Sequence, residues 1–167
     1  MALLNDCKYG YQVKGNVINL NLLRSPGHPD PVADRGRHEF TYALYPHAGD
    51  HIVGEVARAA YELNLPLSVA KVTPHPGPMS RSVSLFAVDN PAVVLETVKP
   101  AEDGRGLVVR LYESTGSAVK ASLCTALNVR NAQLTDLLER PLRRLAVRGS
   151  TVPLAFGPFE IVTVRVG

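Results

Sequence analysis

Tryptophan is absent from the 167 residues, and Phe and Tyr together make up only 6%. Flat aromatic platforms are therefore scarce. Cysteine is nearly absent too: Cys7 and Cys124 match no zinc-finger spacing and no disulfide framework. They read as two free thiols in a reducing, cytoplasmic setting, with a single long-range disulfide as the alternative. No apolar run approaches the ~20 residues that a membrane-spanning helix needs. There is no Gly-x-x-x-x-Gly-Lys phosphate loop, no strand-linked Gly-x-Gly-x-x-Gly and no Gly-x-Ser-x-Gly elbow. These absences give nucleotide phosphate binding and esterase-type chemistry no local support.

The rest is ordinary for a globular protein. Hydrophobic residues are 46% and charged residues 20% of the chain. A domain of this length buries roughly 68–70% of its unfolded surface, enough for a core without metals or disulfides. Net charge is +3. The densest basic group is Arg140, Arg143, Arg144 and Arg148, which reads as a solvated patch and not as a nucleic-acid stripe. Ala2-Leu3-Leu4 runs directly into structure-like sequence with no secretory leader. The expectation is a domain cut from a longer chain, with Met1 placed in front.

Strand patterns dominate. Ile18, Leu20 and Leu22 alternate with Asn19 and Asn21, which predicts a half-buried strand over Val17–Leu23. Lys14-Gly15-Asn16 turns it back on Tyr11–Val13 as a hairpin. Three prolines between Ser25 and Pro31 predict an exposed loop to Arg37, long enough to suggest a functional role. Phe40–Tyr45 predicts a strand with Phe40, Tyr42 and Leu44 on one face. Asp50 can cap a helix carrying Val53, Val56, Ala57, Ala60 and Tyr61, stopped at Asn64-Leu65-Pro66. Further strands are predicted at Leu67–Val72, Val83–Val88, Ala92–Val98, Leu107–Glu113, Val119–Leu127, Ala132–Leu138, Val152–Phe156 and Phe159–Val166. A proline-rich loop lies at Thr73–Pro78. The sum is an all-β sandwich of roughly ten strands with one short helix, and residues 1–167 read as a single domain.

Candidate chemistry is sparse. Of the histidines His28, His38, His47, His51 and His75, only His47 and His51 have a metal-pair spacing, and the turn Ala48-Gly49-Asp50 between them removes the helical rationale. Asp6, Asp30, Asp34, Glu39 and Glu96 could supply a carboxylate pair, but spacing joins no two of them. Two segments are unusually polar for their place. One is Leu4-Asn5-Asp6-Cys7-Lys8-Tyr9-Gly10. The other is Arg35-Gly36-Arg37-His38-Glu39-Phe40-Thr41-Tyr42. Hydrogen-bonding side chains beside aromatic rings suit a sugar subsite. A turn with side-chain caps at a solvated strand end reads equally well.

These segments carry a resemblance. Leu3 to Gly10, Leu22-Leu23-Arg24-Ser25-Pro26 and His38 to His47 resemble the C-terminal region of glycoside hydrolase family 38 α-mannosidases, in the cytosolic and bacterial branch. Val94 to Lys99, Val109 to Glu113, Leu137 to Pro141 and Pro158 to Ile161 continue it in order. The resemblance implies a C-terminal β domain of a larger retaining enzyme that hydrolyses terminal α-D-mannosyl residues. It implies a zinc ion and an aspartate nucleophile on an N-terminal catalytic domain, and neither motif occurs in this chain, so no catalytic residue and no metal ligand is assigned here. It implies a loop arginine near the active site, for which Arg35 in Asp34-Arg35-Gly36 is the candidate. Asn5, Asp6, Lys8 and Tyr9 are expected to face the catalytic domain with Arg35 and to contribute to substrate binding. The partners implied are that domain and an α-mannoside, without nucleic acid or membrane. Self-association through a severed apolar interface is also expected. Two other readings are a stand-alone carbohydrate-binding module, disfavoured by the missing tryptophan, and an oligomerisation domain.

Overall fold

The computed structural model describes every residue except 75, 79 and 81, so His75 and its part of the second proline-rich loop lie outside the described residues. The chain divides into two compact units, Met1–Pro74 and His75–Gly167. No shift in composition marks the division, which falls in the proline-rich stretch. The fold is all-β, with twelve strands and one helix among the described residues.

The second unit is the sandwich. Strands β6 (Val93–Pro100), β7 (Leu107–Glu113), β9 (Ala132–Thr135), β10 (Pro141–Leu145) and β12 (Ile161–Val166) form a five-stranded sheet in the order β10-β9-β12-β7-β6. Strands β5 (Phe86–Val88), β8 (Val119–Thr125) and β11 (Thr151–Phe156) form a three-stranded sheet in the order β11-β8-β5. All pairings are antiparallel. Side chains alternate across each sheet, so every second residue turns inward. Val162, Val164 and Val166 of β12, Val109 and Leu111 of β7, Leu123 of β8, and Val152, Leu154 and Phe156 of β11 make one buried cluster. Burying each large side chain contributes roughly 1.5–3 kcal/mol. Pro153 is tolerated because β11 is an edge strand, where a ladder N–H is dispensable.

The first unit is built differently. β1 (Ala2–Asn5) pairs antiparallel with β4 (Tyr42–Tyr45), and β2 (Tyr11–Lys14) pairs with β3 (Val17–Leu20) across a turn with Gly15 at φ 59°. The helix α1 spans Val56–Asn64. Leu4 is the one buried hydrophobic residue described in this unit. Tyr11, Val13, Val17, Ile18, Tyr42 and Leu44 are all exposed, Leu44 at 70%.

Several expectations change. Leu67–Val72 forms no strand: Leu67 and Val69 are more than 90% exposed, and no neighbouring strand offers them a ladder. The hairpin is present, but its second strand ends at Leu20; on the face expected to be half-buried, Leu20 and Leu22 are half-buried and Ile18 is exposed. The strand at Phe40–Tyr45 is confined to its last four residues; Tyr42 and Leu44 of its expected apolar face are exposed and Phe40 is half-buried. Asp50 Oδ1 accepts from the N–H groups of Ile52 and Val53, both at 2.9 Å, and so caps a preceding turn. The helix itself starts at Val56 because Glu55 adopts a left-handed φ of 49°. Strands β1 and β10 were not anticipated.

Candidate functional site

The polar N-terminal segment and the entry to β4 come together in the first unit. Register pairs Asn5 with Tyr42 and Leu4 with Ala43. Past that ladder, Asp6 N–H donates to Thr41 O at 3.2 Å, and Asp6 Oδ2 accepts from Thr41 N–H at 2.9 Å. That backbone bond is the main reason the Asp6 carboxyl is held below its ordinary range, and the Cys7 side chain adds to it. The same carboxylate pushes the Cys7 thiol up. Asn5 Oδ1 accepts from Lys8 N–H at 2.6 Å and turns the chain sharply. The turn lays Lys8 Nζ over the Phe40 ring, 4.6 Å from its centroid, within cation–π range. Phe40 in turn stacks on Tyr42, with centroids 6.5 Å apart. Asn64 at the end of α1 donates to Asn5 O at 3.1 Å. Asn5, Asp6 and Lys8 are thus built into one corner with Phe40 and Tyr42, and Tyr9 beside them is 90% exposed.

Arg35 lies on the long loop. Asp34 organises that loop: its Oδ2 accepts from Ser25 N–H at 2.8 Å, and its backbone oxygen lies 2.8 Å from His38 Nε2. Asp34 itself adopts φ 59°. Arg35 N–H donates to Val32 O at 3.1 Å, while its side chain is exposed and makes no hydrogen bond or ion pair among the described residues. By contrast Arg37 pairs with Glu39 at 2.6 Å. Among the described residues no hydrogen bond joins Arg35 to residues 5–9. His47 stacks on Tyr45 at 5.9 Å, and its Nδ1 lies 3.2 Å from Ala48 O. No three His, Cys, Asp or Glu side chains among the described residues are grouped to hold a metal ion. Both cysteines are free thiols.

The most perturbed carboxylate is one that sequence reasoning did not single out. Glu113, at the end of β7, has no exposed surface. Its Oε1 accepts from Thr115 N–H at 2.7 Å and from the Thr115 hydroxyl. Its Oε2 accepts from Gly116 N–H at 2.8 Å, Ser117 N–H at 3.2 Å and Phe159 N–H at 2.9 Å. Burial opposes ionisation, but these five donors outweigh it and lower the pKa to about 2. All its lone pairs are taken by main chain and one hydroxyl, so it serves as a staple between the β7 turn and residue 159, and not as an acid or base. The run Ser114-Thr115-Gly116-Ser117 after it is the local signal that could have found it.

A family model described as the glycosyl hydrolases family 38 C-terminal beta sandwich domain matches residues 92–164. A second, the glycosyl hydrolases family 38 C-terminal domain, matches residues 1–32. The two matches fall one in each structural unit. The chain is 51% identical over 169 residues to alpha-mannosidase 2C1 of Homo sapiens, covering 98% of this chain and 16% of that protein. It is 50% identical to the Mus musculus protein of the same name over 96% of this chain and 16% of that protein. Similarity extends to an alpha-mannosidase of Saccharomyces cerevisiae, 33% identical over 99% of this chain and 17% of that protein. The chain therefore spans about a sixth of the length of these curated relatives.

Proposed function

Because this chain belongs to the C-terminal region of glycoside hydrolase family 38, we propose that it serves as the C-terminal part of a retaining α-mannosidase acting on terminal α-D-mannosyl residues. In this reading Met1–Pro74 packs on the catalytic part of the same polypeptide and shapes the entrance to its active site. The observation that carries it is the uncovered face of the first unit. A segment with Leu4 as its one described buried hydrophobic residue, and with Tyr11, Val13, Ile18, Tyr42 and Leu44 in the open, has the composition of a surface meant to be covered. Relatives about six times longer supply the material to cover it.

The corner of Asn5, Asp6, Lys8, Phe40 and Tyr42 and the unpaired Arg35 supply the polar and aromatic groups for substrate contact. An arginine fork can grip paired hydroxyls, and a ring can stack on a sugar face. The two carboxyls of a retaining mechanism, about 5–5.5 Å apart, belong to the catalytic part. In this reading zinc is held by the catalytic part too. A cytoplasmic setting follows from the cysteine usage.

The test is Arg35→Ala in the complete enzyme, assayed on an aryl α-D-mannoside. Loss of a charge-assisted contact to substrate should lower kcat/KM by about tenfold or more. Unchanged kcat/KM would remove Arg35 from the site.

A further inference from the structure

We propose that the second unit carries a binding site for a phosphate monoester, in an arginine-lined cleft at one end of its five-stranded sheet. The cleft has a volume of about 660 Å³ and is lined by Arg105, Arg130, Arg144 and Arg165, with the amides of Asn131 and Gln133 among them. That volume is within the ~300–1,000 Å³ of small-molecule sites.

The register explains the convergence. Arg144 of β10 pairs with Gln133 of β9, and Gln133 pairs with Arg165 of β12. Directly paired residues share a face, so Arg144, Gln133 and Arg165 form one cross-strand row. A neutral glutamine between two arginines keeps like charges from being adjacent while aiming both at the same space. The β6–β7 turn brings in Arg105, and the approach to β9 brings in Arg130.

The four guanidiniums are not equivalent. Arg165 is fixed: it donates to Asp103 Oδ1 and Oδ2 at 2.7 and 2.9 Å and to Arg105 O at 2.6 Å. Arg105 reaches Asp103 only at 3.9 Å. The side chains of Arg130 and Arg144 make no hydrogen bond or ion pair among the described residues. Asp103, the one acidic side chain in the lining, is thus already engaged by Arg165. Bringing uncompensated guanidiniums to one concavity costs repulsion that a bound anion relieves. Planar forks are the side chains suited to phosphate oxygens. The amides and the apolar Leu145, Val147 and Val166 give a polar-and-apolar wall for the esterified group, as a hexose ring would need. The basic cluster that the sequence presents as a solvated patch is thereby divided: Arg144 lines the cleft, whereas Arg140 and Arg143 do not.

The experiment is calorimetric titration of the 167-residue chain with inorganic phosphate, a hexose 6-phosphate and the unphosphorylated hexose at physiological ionic strength. Both phosphates should bind and the free hexose should not. Arg130→Gln and Arg144→Gln should each weaken binding by about tenfold, the loss of one charge-assisted contact. Arg143→Gln should leave it unchanged, as a control for bulk charge. The hexose phosphate should bind more tightly than phosphate, because the wall takes the sugar, and equal binding would overturn the assignment to a monoester. Absence of phosphate binding, or equal losses in Arg143→Gln and Arg144→Gln, would overturn the proposal. The assay needs no catalytic part, so its outcome is independent of the mannosidase reading.

Discussion

Replacing Glu113 by Gln should abolish one specific component of acid sensitivity. The carboxyl ionises at about 2 in the folded protein against an ordinary 4.5. Its folded value is depressed, so its stabilising effect is fully present above about 4.5 and is lost as pH falls towards 2. Between those values the unfolded carboxyl is mostly protonated and the folded one mostly ionised, so unfolding takes up close to one proton at this single residue. Gln keeps the volume but cannot accept at both ends. Its NH₂ group must face either the Thr115 donors or the N–H groups of Gly116, Ser117 and Phe159, and whichever it faces loses its acceptor. The assay is urea unfolding of both proteins from pH 7 to pH 2.5, following the second unit. At pH 7 the variant should unfold at much lower urea. The gap should stay constant to about pH 5 and then close. Other depressed carboxylates, Asp89 and Asp103 among them, titrate alike in both proteins and cancel in the difference. Parallel stability curves down to pH 2.5 would refute the reasoning.

Leu123→Ala removes a side chain with no exposed surface from the centre of β8 and should cost roughly 2–5 kcal/mol, read from the shift in urea midpoint. Gly116→Ala should cost roughly 1–3 kcal/mol by the same measurement, because the position holds φ 77° and an added Cβ would lie 2.8 Å from the Phe159 ring. Asp6→Asn should speed maleimide labelling of Cys7 at pH 8 and leave Cys124 unchanged, since the Asp6 carboxylate is what pushes the Cys7 thiol up. Equal labelling rates would show that Asp6 does not control that thiol.

The sandwich was legible where strands bury one face against a partner in the same unit. Val152, Leu154 and Phe156 alternate in β11 because every second residue meets the opposite sheet, and Gly157-Pro158 ends the strand where the chain must turn. Legibility failed where a partner decides the outcome. Leu67–Val72 has strand composition but no neighbouring ladder. The polar run Arg143-Arg144 hid β10, an edge strand that tolerates charge on its open side. Polar Asn5 and Asp6 obscured β1, although Asp6 ties the chain to Thr41, 35 residues away. The corner of residues 5–8 with Phe40 and Tyr42 was visible as two polar segments, but only the β1–β4 register joins them. The Glu113 cage and the arginine row depend on contacts with Phe159 and Arg165, far along the chain, and local pattern cannot carry such pairings.

The covered-face account is tested most directly by hydrogen exchange at the amides of Tyr11–Leu20 and Tyr42–Tyr45, in this chain alone and in the complete enzyme proposed to contain it. If the first unit packs on a catalytic part, these amides should slow by about tenfold or more in the complete enzyme, while those of Leu107–Glu113 in the sandwich keep their protection. Equal exchange in both contexts would contradict the account and leave the first unit's apolar face without a partner in its own polypeptide.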